Sequence, residues 1–121
     1  MSKITVNFYE TAEGRRPAEE FILEQNPKIR AKIYYEIGLL ERLGTNLRMP
    51  HSEYLGDGIF QVRAQTDGDK ARVLYFFMEG NEAILTNGFL KKTPRTPLNQ
   101  LELAKKYRNE YLRRNHNEKL S

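Results

Sequence analysis

The sequence predicts an α+β fold in the order β-α-α-β-β-β-α: a small, mostly antiparallel sheet with a helical hairpin packed on one face. Three observations carry this. Residues 3–9 and 59–65 alternate apolar and polar side chains, the period of a half-buried strand. Two successive segments, opening at Pro17 and at Asn26-Pro27, place apolar residues at helical spacing. Three strand-like runs between residues 59 and 89 are joined by short turns, which makes an antiparallel meander.

Taken in order, Lys3 to Tyr9 sets Ile4, Val6 and Phe8 against Thr5, Asn7 and Tyr9. A loop around Gly14 follows. Pro17 suits the first turn of a short helix with Ala18, Phe21 and Ile22 on its apolar stripe, ending near Gln25. Asn26 as cap and Pro27 at the first helical position start the next helix, Pro27–Leu43, where Ile29, Ile33, Ile37 and Leu40 recur on one face and Gly44 closes the end. Thr45 to Gly58 reads as a long loop, a length that often carries function. Ile59 to Gln65 points Phe60, Val62 and Ala64 one way and Gln61, Arg63 and Gln65 the other. The polar run Thr66–Lys70, centred on Asp67-Gly68, is its turn. Ala71 to Phe77 is apolar on both faces except for Arg72, the pattern of a central strand. Glu79-Gly80-Asn81 turns into a strand at Glu82–Phe89. After a basic loop, Thr96 caps and Pro97 opens the last helix, with Leu98, Leu101, Ala104, Tyr107 and Tyr111 on its stripe. One domain is expected over residues 1–121, with a frayed, disordered tail from about residue 114.

Composition narrows the chemistry. With 39% hydrophobic and 30% charged residues, 121 residues suffice for one folded core. No apolar run approaches the ~20 residues of a membrane span, and the N-terminus lacks a signal-peptide pattern, so a cytoplasmic protein is expected. The absence of cysteine excludes disulfides and thiol catalysis, and two histidines, His51 and His116, argue against a histidine metal site; no cofactor is expected. Residues 88–121 hold nine lysines and arginines against three acids, although the net charge of the chain is only +4. Such a basic third suits a polyanion-facing surface, or simply a solvated helix.

Arginines on or beside a central strand need a reason. Arg63 lies on the polar face of its strand, with Gln61 sharing that face, and either holds an acid such as Glu53 or Asp57 or faces a ligand. Arg72 opens the central strand and either reaches Asp67 or Asp69 or does chemistry. Lys91 and Lys92 stand at the C-terminal edge of the last strand, with Arg95 just beyond. His51, in the long loop, is either surface dressing or a general base near neutral pH. Tyr75 reads as core.

Several segments in one order carry a resemblance: PHSEYLGDGIFQVR, KARVLYFF, GFLKKTPRTP and a following helix with ELAKKY. From about Met49 to Tyr107 the chain resembles the phage-derived HigB-like branch of the RelE/ParE toxin superfamily, which implies a RelE-like fold. The resemblance implies a type II toxin, neutralised by a tightly bound antitoxin that in this branch commonly carries a helix-turn-helix. It implies an mRNA endonuclease acting on translated mRNA at the ribosome. Such an enzyme cuts without metal: the ribose 2′-hydroxyl attacks the adjacent phosphate, and cationic side chains stabilise the charge that develops. By the resemblance, Arg63 and Arg72 are catalytic together with Lys91 and Lys92, of which one faces the substrate and the motif does not say which; Gln61 from its strand face, and Arg95 and His51 from their loops, are read as substrate contacts. A superfamily tyrosine that follows the basic loop in some nucleases has no counterpart before Tyr107, which leaves proton transfer open. Two other readings stand beside this one: a ParE-like inhibitor of a protein such as DNA gyrase, and a non-catalytic RNA-binding regulator.

Overall fold

The structure is a computed structural model and describes residues 3–120, with the side chains of residues 3–116. The described residues form a five-stranded sheet, three α-helices and one 3-10 turn at Gly44–Asn46. The elements are β1 (Thr5–Phe8), α1 (Pro17–Glu24), α2 (Pro27–Leu43), β2 (Ser52–Gly56), β3 (Ile59–Gln65), β4 (Lys70–Met78), β5 (Glu82–Leu90) and α3 (Leu98–Leu120). The sheet order is β1-β5-β4-β3-β2, so β4 is central. β1 runs parallel to β5, and every other pairing is antiparallel. This is the α+β class expected, with one more strand than the sequence pattern indicates.

The local signals explain most boundaries. The Asn26 side chain accepts hydrogen bonds from the backbone N–H of Lys28 and Ile29, both at 3.1 Å, which satisfies two otherwise unpaired donors at the start of α2. The additional strand is β2, inside the stretch read as a loop. It pairs with β3 on one side only. In this edge strand the polar Ser52 is buried and Tyr54 exposed, so HSEYLG lacks the apolar alternation of a half-buried strand. Its connection to β3 is the two-residue turn Asp57-Gly58, with positive φ of 56° and 80° at the two positions, as a tight hairpin turn requires.

α1 and α2 pack on one face of the sheet. There Ile22, Ile29, Ile33, Ile37 and Leu40 bury against Val62, Ala64, Val73 and Leu85. α3 covers part of the other face, where Ala104, Leu101, Tyr107 and Tyr111 meet Ile59, Leu74, Phe76 and Ile84. A bulge joins the two halves of β5: Leu74 pairs with Asn87 and Tyr75 with Leu85, which leaves Thr86 as an extra residue. The bulge reverses the alternation, so Phe89 and Asn87 share the α3 face while Gly88 turns to the helical hairpin. Asn87 then ties the start of α3 to the sheet through Gln100, whose backbone and side-chain oxygens accept at 3.2 and 3.0 Å.

The tail expected to fray from residue 114 is instead helical to Leu120, and Ser121 lies outside the described residues. Arg114 explains the extension at its start. Its guanidinium donates to Glu110 one turn earlier, at 2.5 Å, and to the Glu10 carbonyl at 2.9 Å, fastening the helix to the loop after β1. Among the described residues no helix is long and apolar enough to cross a membrane.

Candidate functional site

The strand register sets the site. Arg63 on β3 pairs directly with Arg72 on β4, and Arg72 pairs with Phe89 on β5. The two arginines are thus cross-strand neighbours on one face, near the sheet end at which β3 finishes and β4 begins. Like charges in that relation repel. The ladder continues one residue past β5, where the Lys91 N–H donates to the Lys70 carbonyl at 2.6 Å. Alternation puts Lys91 on the same face as Phe89 and Arg72, and Lys92 on the opposite one.

Arg72 is 2% exposed, unusual for a guanidinium. Its Nη1 donates to the Ala71 carbonyl at 2.9 Å, while its Nε is buried with no partner among the described residues. The Arg63 Nε is likewise buried and unpartnered, and its Nη1 meets the Met49 sulfur at 3.1 Å. Neither arginine takes the acids suggested by sequence. Asp67 pairs with Lys28 at 3.6 Å, Asp69 accepts from the Asn26 amide at 3.1 Å, and Asp57 pairs with Lys105 at 3.5 Å. Burial, and then the charge of Arg63, make the Arg72 guanidinium hold its proton less tightly than usual, with Glu53 opposing. Burial, Arg72 and Arg63 lower the proton affinity of Lys91 in the same way. Lys91 therefore feels both arginines.

Two adjoining cavities open here. One, of about 370 Å³, is lined by Arg63, Arg72, His51, Glu36, Lys32 and the β3–β4 turn. The other, of about 550 Å³, runs along that turn to Lys91 and Lys92. Of the residues singled out from sequence, Arg63, Arg72 and His51 line one cavity and Lys91 is coupled to its arginines. Lys92 and Arg95 are exposed in the basic loop. Gln61, expected as a substrate contact, is held at both ends of its amide. It is 1% exposed, its amide nitrogen donates to Glu53 at 2.9 Å, and its oxygen accepts from the Thr96 hydroxyl at 3.0 Å. It ties β2 to the end of the basic loop, and a direct substrate contact would require this tie to open.

The remaining aromatic candidates belong to the packing. Tyr75 is buried as expected, its hydroxyl lies 2.6 Å from Ser52 Oγ, and burial pushes its pKa up to about 12. Tyr107 stacks on Tyr9, with ring centroids 4.6 Å apart, within the contact of α3 with the sheet.

Glu36 joins the cluster of Arg63, Arg72 and His51 without standing out as a candidate in the sequence. It is 2% exposed on α2, and its carboxylate accepts from His51 Nδ1 at 2.8 Å and pairs with Lys32 at 3.3 Å. The signal was present: position 36 lies on the stripe of Ile29, Ile33, Ile37 and Leu40, where an acid is out of place. The basic C-terminal third is partly neutralised by its surroundings, because Lys105 and Arg108 converge on Asp57 and Arg114 pairs with Glu110.

Comparison with known proteins gives one family. Residues 20–109 match the family described as phage-derived protein Gp49-like (DUF891). No curated protein matches the chain.

Proposed function

The chain belongs to the Gp49-like family of phage-derived proteins, a RelE/HigB-like toxin family, and from that premise we propose that it is a ribosome-dependent mRNA endonuclease of a type II toxin–antitoxin pair. The observation that carries this reading is the Arg63–Arg72 pair. A buried guanidinium beside a second one, with an unpartnered Nε on each, is costly until an anion arrives. A phosphodiester supplies the missing acceptor, and its charge grows in the transition state of 2′-hydroxyl attack. Arg72 and Arg63 bind and stabilise the phosphorane. Lys91, whose ammonium gives up its proton more readily than usual, protonates the departing 5′-oxygen. Lys92 and Arg95, exposed on the loop, contact the backbone of the RNA.

The clustering of Arg63, Arg72 and Lys91 supports RNA chemistry over ParE-like inhibition of a protein target, for which no such convergence is needed. The toxin acts in the cytoplasm and is neutralised by a cognate antitoxin carrying a helix-turn-helix.

The test is expression without antitoxin. Wild type arrests growth and leaves cuts in translated mRNA. Arg72→Ala, shown to be folded by circular dichroism, relieves both. A folded Arg72→Ala that remains fully toxic overturns the site.

A further inference from the structure

The chemistry above lacks an acceptor for the 2′-hydroxyl proton, and packing does not explain Glu36. A carboxylate buried to 2% on the apolar stripe of α2 is costly unless paired. Its two oxygens are divided: Oε1 meets His51 Nδ1 at 2.8 Å and Oε2 meets Lys32 Nζ at 3.3 Å. An ionised carboxylate only accepts, so the hydrogen of this bond sits on His51 Nδ1. In the neutral ring that leaves the Nε2 lone pair free. The ring is 40% exposed, and with Arg63 and Arg72 it lines the same cavity, whose volume of about 370 Å³ is large enough for a small ligand. The groups that face it are Glu36 and Lys32 from α2, Arg63 from β3, Arg72 from β4 and Asp67 from the β3–β4 turn.

We propose that His51 is the general base of the cleavage and Glu36 the positioning residue that fixes its tautomer and orientation, an assignment that rests on the endonuclease reading. Nε2 takes the proton of the ribose 2′-hydroxyl as the 2′-oxygen bonds to phosphorus. The bond from phosphorus to the 5′-oxygen breaks, and that oxygen takes the proton of the Lys91 ammonium. The products are a 2′,3′-cyclic phosphate and a 5′-hydroxyl. His51 then loses its proton to water, and Lys91 regains one. Glu36, contributed by a helix on the opposite side of the sheet from α3, couples the helical hairpin to the phosphate site.

The test measures single-turnover cleavage of mRNA on programmed ribosomes by the purified protein. His51→Ala slows cleavage about a hundredfold or more, with unchanged affinity for the ribosome, and added imidazole restores part of the rate. Glu36→Gln, which keeps the size and removes the charge, slows it about tenfold, and Glu36→Asp recovers part of the loss. In nitrogen-15 NMR the wild-type His51 ring shows its hydrogen on Nδ1, and Glu36→Gln weakens that preference. Thermal melts establish that each variant is folded. A folded His51→Ala that cuts at the wild-type rate, or is slow but insensitive to imidazole with the wild-type pH profile, overturns the proposal and leaves the endonuclease reading standing. A wild-type protein that cuts no RNA removes both.

Discussion

At the scale of single residues, Arg72 is the position at which the proposed site and the packing of the sheet conflict. The central strand of a sheet favours apolar side chains, and Ala71 and the run Val73–Met78 on either side of Arg72 obey that rule. The guanidinium is buried, faces another guanidinium across the ladder, and leaves Nε without an acceptor. A buried charge held in this way costs stability, and replacing it with a well-packed apolar group often stabilises the fold. Arg72→Met is therefore expected to raise stability by about 1–2 kcal/mol while abolishing toxicity. Urea denaturation followed by circular dichroism checks the first half and growth after induction the second. An Arg72→Met protein less stable than wild type would show that the guanidinium is structural. Gln61 makes the complementary point. It shares the face of Arg63, yet both ends of its amide are bound, ties that its position on the strand did not reveal.

At the scale of elements, the bulge in β5 decides which side chains reach the site face. Were β5 to run from Leu85 in unbroken alternation, Thr86 included, Phe89 would lie with Leu85 toward α1 and α2. With it, Lys91 joins Arg72, and Gly88 takes the place beneath α1. A Cβ at Gly88 would overlap the Phe21 ring, so glycine there lets the helix approach the strand. Gly88→Ala should cost about 1–3 kcal/mol, and Phe21→Leu in the same protein should recover part of it, a coupling measurable by a double-mutant cycle in denaturant. If the two changes add without coupling, this close approach does not limit the packing. α2 is the second element whose placement matters. It offers a core stripe to the sheet and, on that same stripe, Glu36 to His51.

At the scale of the molecule, charge is sorted by context. The excess positive charge lies wholly in the C-terminal third, but Lys105, Arg108 and Arg114 are drawn into ion pairs with Asp57 and Glu110. Among the described residues, Arg63 on β3, Arg72 on β4 and Lys91 just past β5 take part in no such ion pair. Binding of a cleavage-resistant RNA carrying 2′-deoxy substitution should fall with salt, and the log–log slope should shrink by about 0.7 for Arg63→Ala and again for Arg72→Ala. Lys105→Ala, which removes a charge already paired, should change the slope less. Equal effects from all three would point to a diffuse basic surface, with no defined phosphate site.

The sequence by itself determined the class, the helical hairpin and the three-strand meander. Those features rest on local physics: alternation, helical periodicity, and the capping and turn residues Asn26, Pro27 and Asp67-Gly68. It also pointed to Arg72, because a charge in an apolar strand is visible without any fold. Only the tertiary structure decided the rest. β2 is a strand because β3 offers it an edge, and its own polar sequence does not announce it. Which of Lys91 and Lys92 falls on the face of Arg72 is set by a bulge that the sequence pattern does not foresee. The bond between Glu36 and His51 joins residues fifteen positions apart across a helix end and a turn. Propensity and periodicity act over a few residues, whereas register and long-range pairing are set by which surfaces the whole chain must bury.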